Sequence, residues 1–202
     1  RLISTVCSIR SGSLTLHDAR VRFTQELKDS FEALDVFGHG VKPFIDKAEV
    51  LDPYKYHITI ENHSCKHHLT EKLPDAFLGY TLPFYHGCPN ADDYFPLESF
   101  IPIDINDFDK SLDIIKSTIA NNEYEDRLPY IIEARQRVLE KYNLFSVLNR
   151  EITRHNNITV RDAQSDNWVM NRSTFRICNP VAGIRTLCEK VIVKSKHRFG
   201  LV

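Results

Sequence analysis

No run of about 18 apolar residues occurs in this 202-residue chain, so no transmembrane helix is encoded. No charged segment followed by a short apolar one opens it, so no secretory signal is read there. It starts at Arg1, without Met, directly on the apolar "LISTV", and we expect a piece of a longer protein. There is no CxxC pair. The five cysteines (Cys7, Cys65, Cys88, Cys178 and Cys188) are scattered and odd in number, which argues against a disulfide framework and for a reducing compartment. A P-loop, a GxGxxG fingerprint and a GxSxG elbow are all missing, and no Ser/His/Asp order can be argued. Aromatic residues are not interleaved with a basic patch, so no nucleic-acid partner is expected.

What is present is an ordinary globular composition, 42% apolar and 26% charged, with a net charge of −1 that conceals a split. Residues 1–151 hold 17 basic and 24 acidic side chains, whereas 152–202 hold 9 and 3. A swing from −7 to +6 marks a candidate boundary near 151. Before it, strand-like and helix-like patterns alternate: strands at 2–8, 35–40, 54–61, 82–87 and 99–104, and helices at 19–33, 43–52, 70–79, 107–120 and 123–142. Asp18 is the expected cap of the 19–33 helix, after a Ser/Gly loop at 10–18. Such alternation predicts an α/β fold, a Rossmann-like open parallel sheet with helices on both faces. Ligands of such sheets bind outside the carboxyl ends of the strands, which puts the loops at 9–18 and 61–70 on one edge. Beyond 151 no period is clear until "AGIRTLCEKVIVKSKHR", which could form a basic amphipathic helix.

Two places on that edge carry charge suited to an anion. Arg20 and Arg22 fall in the first turn of the 19–33 helix, where free N–H groups and the dipole already attract anions. A guanidinium forks onto two phosphate oxygens, but two residues apart the arginines diverge by about 200°, and Arg20 is the one expected to face the ligand. The second place is "HLTEKLP". If Thr70 capped the next helix, Pro74 would remove its first hydrogen bond; if the helix began at Leu73, proline would be tolerated and Glu71 and Lys72 would project from its mouth. Lysine can meet a phosphate there, and glutamate can accept from sugar hydroxyls. For Arg20 and for Glu71–Lys72 alike, plain solvated surface charge is the competing reading. "ENHSCKHH" gathers zinc-ligand types, but at no spacing of a closed site, so no metal is assigned. Asn62, Asn157 and Asn171 open N-x-S/T triplets, taken as chance.

In order and spacing, "ARVRFTQEL" (19–27), "DVFG" (35–38), "YKYHITIENHSCKHHLTEK" (54–72), "LPFYHG" (82–87) and "SFIPIDINDF" (99–108) resemble family 10 glycosyltransferases, the α-1,3/1,4-fucosyltransferases. The likeness covers about residues 1–145. Ile60 stands where the family has Phe, and His68 where it has Tyr. The resemblance implies the donor half of a GT-B enzyme that inverts configuration in moving L-fucose from GDP-fucose to a glycan acceptor without a catalytic metal. It makes Arg20 and Lys72 the neutralisers of the pyrophosphate and Glu71 a partner of ribose or sugar hydroxyls. Glu61, Asn62 and His68 complete the donor set. The family's acceptor-binding domain, and with it the general base, precedes this region and is not in the chain, so no catalytic residue is named. The resemblance places the protein in the cytoplasm or at a membrane periphery in a bacterium, and in the Golgi in a eukaryote. The basic extension 152–202 could rest on anionic lipid. The alternatives are a related transferase using another nucleotide sugar and a non-catalytic nucleotide-sugar-binding module.

Overall fold

The computed structural model describes residues 1–8, 16–155 and 171–198. The Asn157 triplet and most of the 10–18 loop lie outside the described residues. The chain divides into two units, Arg1–Leu148 and Asn149–Val202. The charge swing at 151 falls three residues beyond that division.

In the first unit five strands, β1 (Ile3–Val6), β2 (Leu34–Phe37), β3 (Tyr56–Ile60), β4 (Leu82–His86) and β5 (Ile101–Pro102), form one parallel sheet in the order β2-β1-β3-β4-β5. Ser4 lies opposite His57 and Ile58 opposite Phe84. Its helices are α1 (His17–Ser30), α2 (Ala48–Leu51), α3 (Lys72–Leu78), α4 (Phe108–Ala120) and α5 (Glu123–Arg137), and α6 (Leu144–His155) runs through the division into the second unit. From β1 the chain moves outward to β2, then crosses back to β3 and on to β4. The strand order therefore reverses between β1 and β3, and the crevice at their carboxyl ends is the switch point where open α/β sheets take ligands.

The central strand β3 is buried along its whole length, on both faces, as parallel sheets require, and β1 and β4 beside it are buried except at their last residues. One core cluster joins Phe23 and Leu27 of α1, Ile58 and Ile60 of β3, Leu73 and Phe77 of α3 and Phe84 of β4. A smaller one joins Phe37, Val50, Leu51 and Tyr54 around α2. Phe77 is fully buried and meets Phe95 with ring centroids 4.8 Å apart and the rings tilted by 57°. Burial of that size contributes roughly 2–3 kcal/mol and fixes α3, and so the start of α3, against the sheet.

Several boundaries differ from expectation. α1 starts two residues early: Arg20 N donates to Leu16 O at 2.8 Å, so Leu16 holds the N-cap position and Asp18 lies inside the first turn without capping. α2 keeps only 48–51 of the expected 43–52. Residues 97–99 form a 3₁₀ turn, because Ser99 Oγ folds back onto Pro96 O at 2.6 Å, so β5 is shorter than 99–104. The 123–142 helix changes at 138 into a π turn, Val138–Tyr142.

The second unit, by itself, contains α7 (Arg172–Cys178) and α8 (Pro180–Arg198), the latter covering the expected basic helix. Val181, Ile184, Leu187 and Val191 of α8 are exposed. Among the described residues no helix is long and apolar enough to cross a membrane.

Candidate functional site

At the switch point lies a crevice of about 140 Å³. Val6 and Ser8 at the end of β1, residues 57–60 of β3, Arg20 of α1, Lys47 before α2, and Glu71, Lys72 and Asp75 of α3 line it. The ends of two strands and the starts of three helices thus converge on one opening.

Glu71 takes the N-cap position of α3 and Lys72 is its first residue. That makes Pro74 the third helical residue, whose N–H has no intrahelical partner in any helix. The first bond of the ladder runs from Asp75 N to Glu71 O at 2.8 Å. Proline therefore costs no hydrogen bond, although the helix starts one residue before the Leu73 start that would have accommodated it. Leu73, Ala76 and Phe77 turn into the core, leaving Glu71, Lys72 and Asp75 to the crevice.

Lys72 is held from behind. Its Nζ lies 3.4 Å from Glu61 Oε2 and 3.1 Å from Glu71 Oε1, and donates to Thr70 Oγ1 at 3.1 Å. Glu61 is wholly buried and accepts from both Thr70 N (3.1 Å) and the Thr70 hydroxyl. Burial pushes the Glu71 carboxyl upward, but its own backbone N–H and the charges of Lys72 and Lys47 outweigh that and hold it below the usual carboxylate range.

Arg20 is held in the same manner. It is 9% exposed, its Nη1 donates to Asn62 Oδ1 at 2.7 Å, and its buried Nε has no protein acceptor. Asn62 in turn accepts, through its carbonyl, from Leu16 N at 3.2 Å. Arg22, two residues on, is exposed and stands outside the crevice.

Of the six residues singled out in the sequence, Arg20, Glu71 and Lys72 line the crevice together. Glu61 and Asn62 stand one contact behind, each on one of the cations. His68 stands apart, edge-on to His63 at 5.9 Å. The "NHSCKHH" loop spends its polar groups on its own fold: His67 N donates to Asn90 Oδ1 at 2.9 Å, and Ser64 Oγ to Gly87 O at 2.8 Å. Among the described residues no three His, Cys, Asp or Glu side chains gather as a metal site.

Sequence reasoning missed Lys47, His57, Thr59 and Asp75. Lys47 pairs with Asp75 and lies 3.8 Å from Glu71 Oε1. His57 is buried, and burial first, then the charge of Lys47, lowers its pKa to about 3. Ser4 Oγ donates its one proton to Val50 O at 2.6 Å, so it must accept from His57 Nδ1 at 2.8 Å. Thr59 Oγ1 is buried with no protein partner. Two polar side chains on consecutive inward positions of a central strand were a usable signal, since such strands are normally apolar throughout.

Comparison with known proteins gives a consistent result. Residues 4–125 match the family described as "Glycosyltransferase family 10 (fucosyltransferase) C-term". The chain is 34% identical over 96 residues to "Alpha-(1,3)-fucosyltransferase FucT" of Helicobacter pylori, covering 46% of this chain and 20% of that protein. It is 29% identical over 124 residues to "4-galactosyl-N-acetylglucosaminide 3-alpha-L-fucosyltransferase 9" of Homo sapiens, covering 58% and 34%. The chain thus spans about a third or less of these relatives' length. A solved "alpha1,3-Fucosyltransferase with GDP-fucose" superposes with a TM-score of 0.53 at 29% identity, over 63% of this chain and 38% of that one. A second, "alpha1,3-Fucosyltransferase with GDP", gives 0.53 at 25% identity, over 71% and 48%.

Proposed function

The chain belongs to glycosyltransferase family 10, the fucosyltransferases, and on that footing we propose that its first unit binds GDP-fucose in the β1/β3 crevice. It is the donor half of an enzyme that moves L-fucose onto a glycan. The observation that carries this reading is the meeting of Arg20 and Lys72, 52 positions apart in the chain, on one crevice at the switch point.

Breaking the bond between fucose and GDP leaves negative charge on the diphosphate. Fixed cations in a sheltered crevice stabilise that charge as it develops, with no reorganisation at the moment of reaction. Arg20 and Lys72 are suited to this because their rear contacts already aim them: Asn62 steadies the guanidinium, and Glu61 with Thr70 steadies the ammonium. Glu71, half exposed at the mouth, accepts from donor hydroxyls. The residue that deprotonates the acceptor hydroxyl is not assigned to this chain. Contact of residues 152–202 with anionic membrane belongs to this proposal as well, supported by their +6 balance.

Calorimetric titration with GDP tests the reading. Arg20→Ala and Lys72→Ala should each weaken binding at least tenfold, about 1.4 kcal/mol. GDP-fucose should compete better than GDP-mannose, UDP-sugars or CMP-sugars. Affinity for GDP no better than for unrelated anions defeats the proposal.

A further inference from the structure

The geometry points to Lys47 as a third cation of the donor crevice, one that leaves Asp75 to meet the diphosphate when the nucleotide binds. This rests on the nucleotide-sugar reading above and adds to it a residue and an exchange.

Lys47 sits immediately before α2, on the same carboxyl edge of the sheet as the starts of α1 and α3, and lines the crevice with Arg20 and Lys72. In the ligand-free protein its Nζ pairs with Asp75 and lies 3.8 Å from Glu71 Oε1. Both carboxylates line the crevice too. The three cations Arg20, Lys47 and Lys72 thus stand among three carboxylates, Glu61, Glu71 and Asp75. A diphosphate brings several negative charges into that balance, and at least one existing pair must yield.

The Lys47–Asp75 pair is the one placed to yield. The Lys72–Glu61 contact has a fully buried carboxylate that also anchors Thr70, and Arg20 is largely buried on Asn62. The Lys47 side chain, by contrast, is 46% exposed. Its partner Asp75 is 24% exposed, so water reaches both ends of the pair and screens it, and parting it costs little. Asp75 loses little when released, since it lies in the first turn of α3, where the helix N-terminus stabilises a carboxylate. Lysine suits the exchange: a compact charge on a flexible four-carbon stem can turn from one partner to the next. That its charge reaches the crevice floor is visible at His57, whose proton affinity Lys47 lowers beyond the effect of burial.

A purely structural Lys47 would only pin α2 to α3, and the two roles separate by experiment. GDP is titrated into the 202-residue chain and into the Lys47→Gln, Asp75→Asn, Lys72→Ala and Lys47→Gln/Asp75→Asn variants, with circular dichroism confirming that each folds. Lys47→Gln should weaken GDP at least fivefold. Asp75→Asn should tighten it about threefold, because Lys47 is then freed in advance, and this gain should vanish in the double variant. Unchanged GDP affinity in Lys47→Gln, alongside a weakened Lys72→Ala, overturns this inference and leaves the donor reading standing. Failure of Asp75→Asn to tighten GDP overturns the exchange even if Lys47→Gln is slow to fold. Absence of GDP binding by the unsubstituted chain sinks the donor reading, and this inference with it.

Discussion

Lys72 touches two carboxylates, and they should contribute very differently to stability. Glu71 is nearer, at 3.1 Å, but its side chain is 57% exposed; Glu61 is farther, at 3.4 Å, but is wholly buried. Solvent screens the first pair, so Glu71→Gln should change stability by no more than about 0.5 kcal/mol. Glu61→Gln keeps the shape of the side chain but turns one acceptor oxygen into a donor NH2. That group must then face the Thr70 N–H or the Lys72 ammonium, which need an acceptor, or the Thr70 hydroxyl, whose proton now goes to the carboxylate and whose oxygen already accepts from Lys72. One buried donor left without a partner costs about 1–3 kcal/mol, and losing the charge assistance on the remaining bond adds roughly 1 kcal/mol. For a chain of this length 1 kcal/mol moves the unfolding temperature by about 2–4 °C. The expected fall for Glu61→Gln is therefore roughly 4–16 °C, read by circular dichroism, against about 2 °C or less for Glu71→Gln. GDP affinity should fall in both, because Lys72 loses its rear anchor in one and the crevice loses a hydroxyl acceptor in the other. Equal melting temperatures for the two variants would refute the argument that burial, not distance, decides which carboxylate holds Lys72.

Three shorter predictions follow from the same geometry. His57 is held neutral with a folded pKa of about 3, below the ordinary value of 6.5. The unfolded chain takes up the proton first as pH falls, so stability present above pH 6.5 drains away toward pH 3, by roughly 2 kcal/mol at pH 5. Denaturant midpoints measured from pH 7.5 to 5 should show that slope, and His57→Gln should flatten it. Gly87→Ala would set a methyl group 2.7 Å from the Tyr85 hydroxyl oxygen and 2.9 Å from Glu61 Cβ, and should cost about 1–3 kcal/mol in urea unfolding. Pro74→Ala should destabilise by less than about 1 kcal/mol, through the freer unfolded chain alone. A gain near 3 kcal/mol on removing that proline would mean that it sits in the helix interior instead.

The parts of the fold that could be read from the sequence are those where one chain segment fixes its own geometry. Strand–helix alternation forces parallel strands, and parallel strands with short crossovers leave few orders, so the sheet and its ligand edge were accessible. Arg20 could be separated from Arg22 because helical rotation alone turns them apart. Pro74 argued against Thr70 as the cap of α3 and for a start near Leu73, since a proline ring tolerates only the positions whose N–H is free in any case; the helix starts at Lys72. What could not be read depends on contacts between segments. The capping position of α1 shifted because Leu16 is tied to Asn62, 46 residues away. The β5 boundary depends on a serine turning back on its own backbone. Glu61 was expected in the donor set, but that its carboxylate turns to Thr70 and Lys72, behind the crevice, is fixed only when α3 docks.

Lys47 illustrates the same limit at the site itself. Within "FIDKAEV" it is indistinguishable from a solvated charge at a helix start, and by local pattern that remains the better reading. Its meaning comes from where the crossover from β2 to β3 sets it down, beside Asp75 of the next crossover. Three bare cations facing one another in an empty crevice would repel each other and spread apart. Carboxylates that are exposed enough to surrender a lysine, beside one that is too buried to do so, solve that problem. The buried one keeps Lys72 aimed while empty, and the exposed ones keep Lys47 in reach. On this view the acidic residues around the phosphate site are what allow it to exist before its ligand arrives. Removing Asp75, which holds only Lys47, should sharpen anion binding, and removing the buried Glu61 should blunt it.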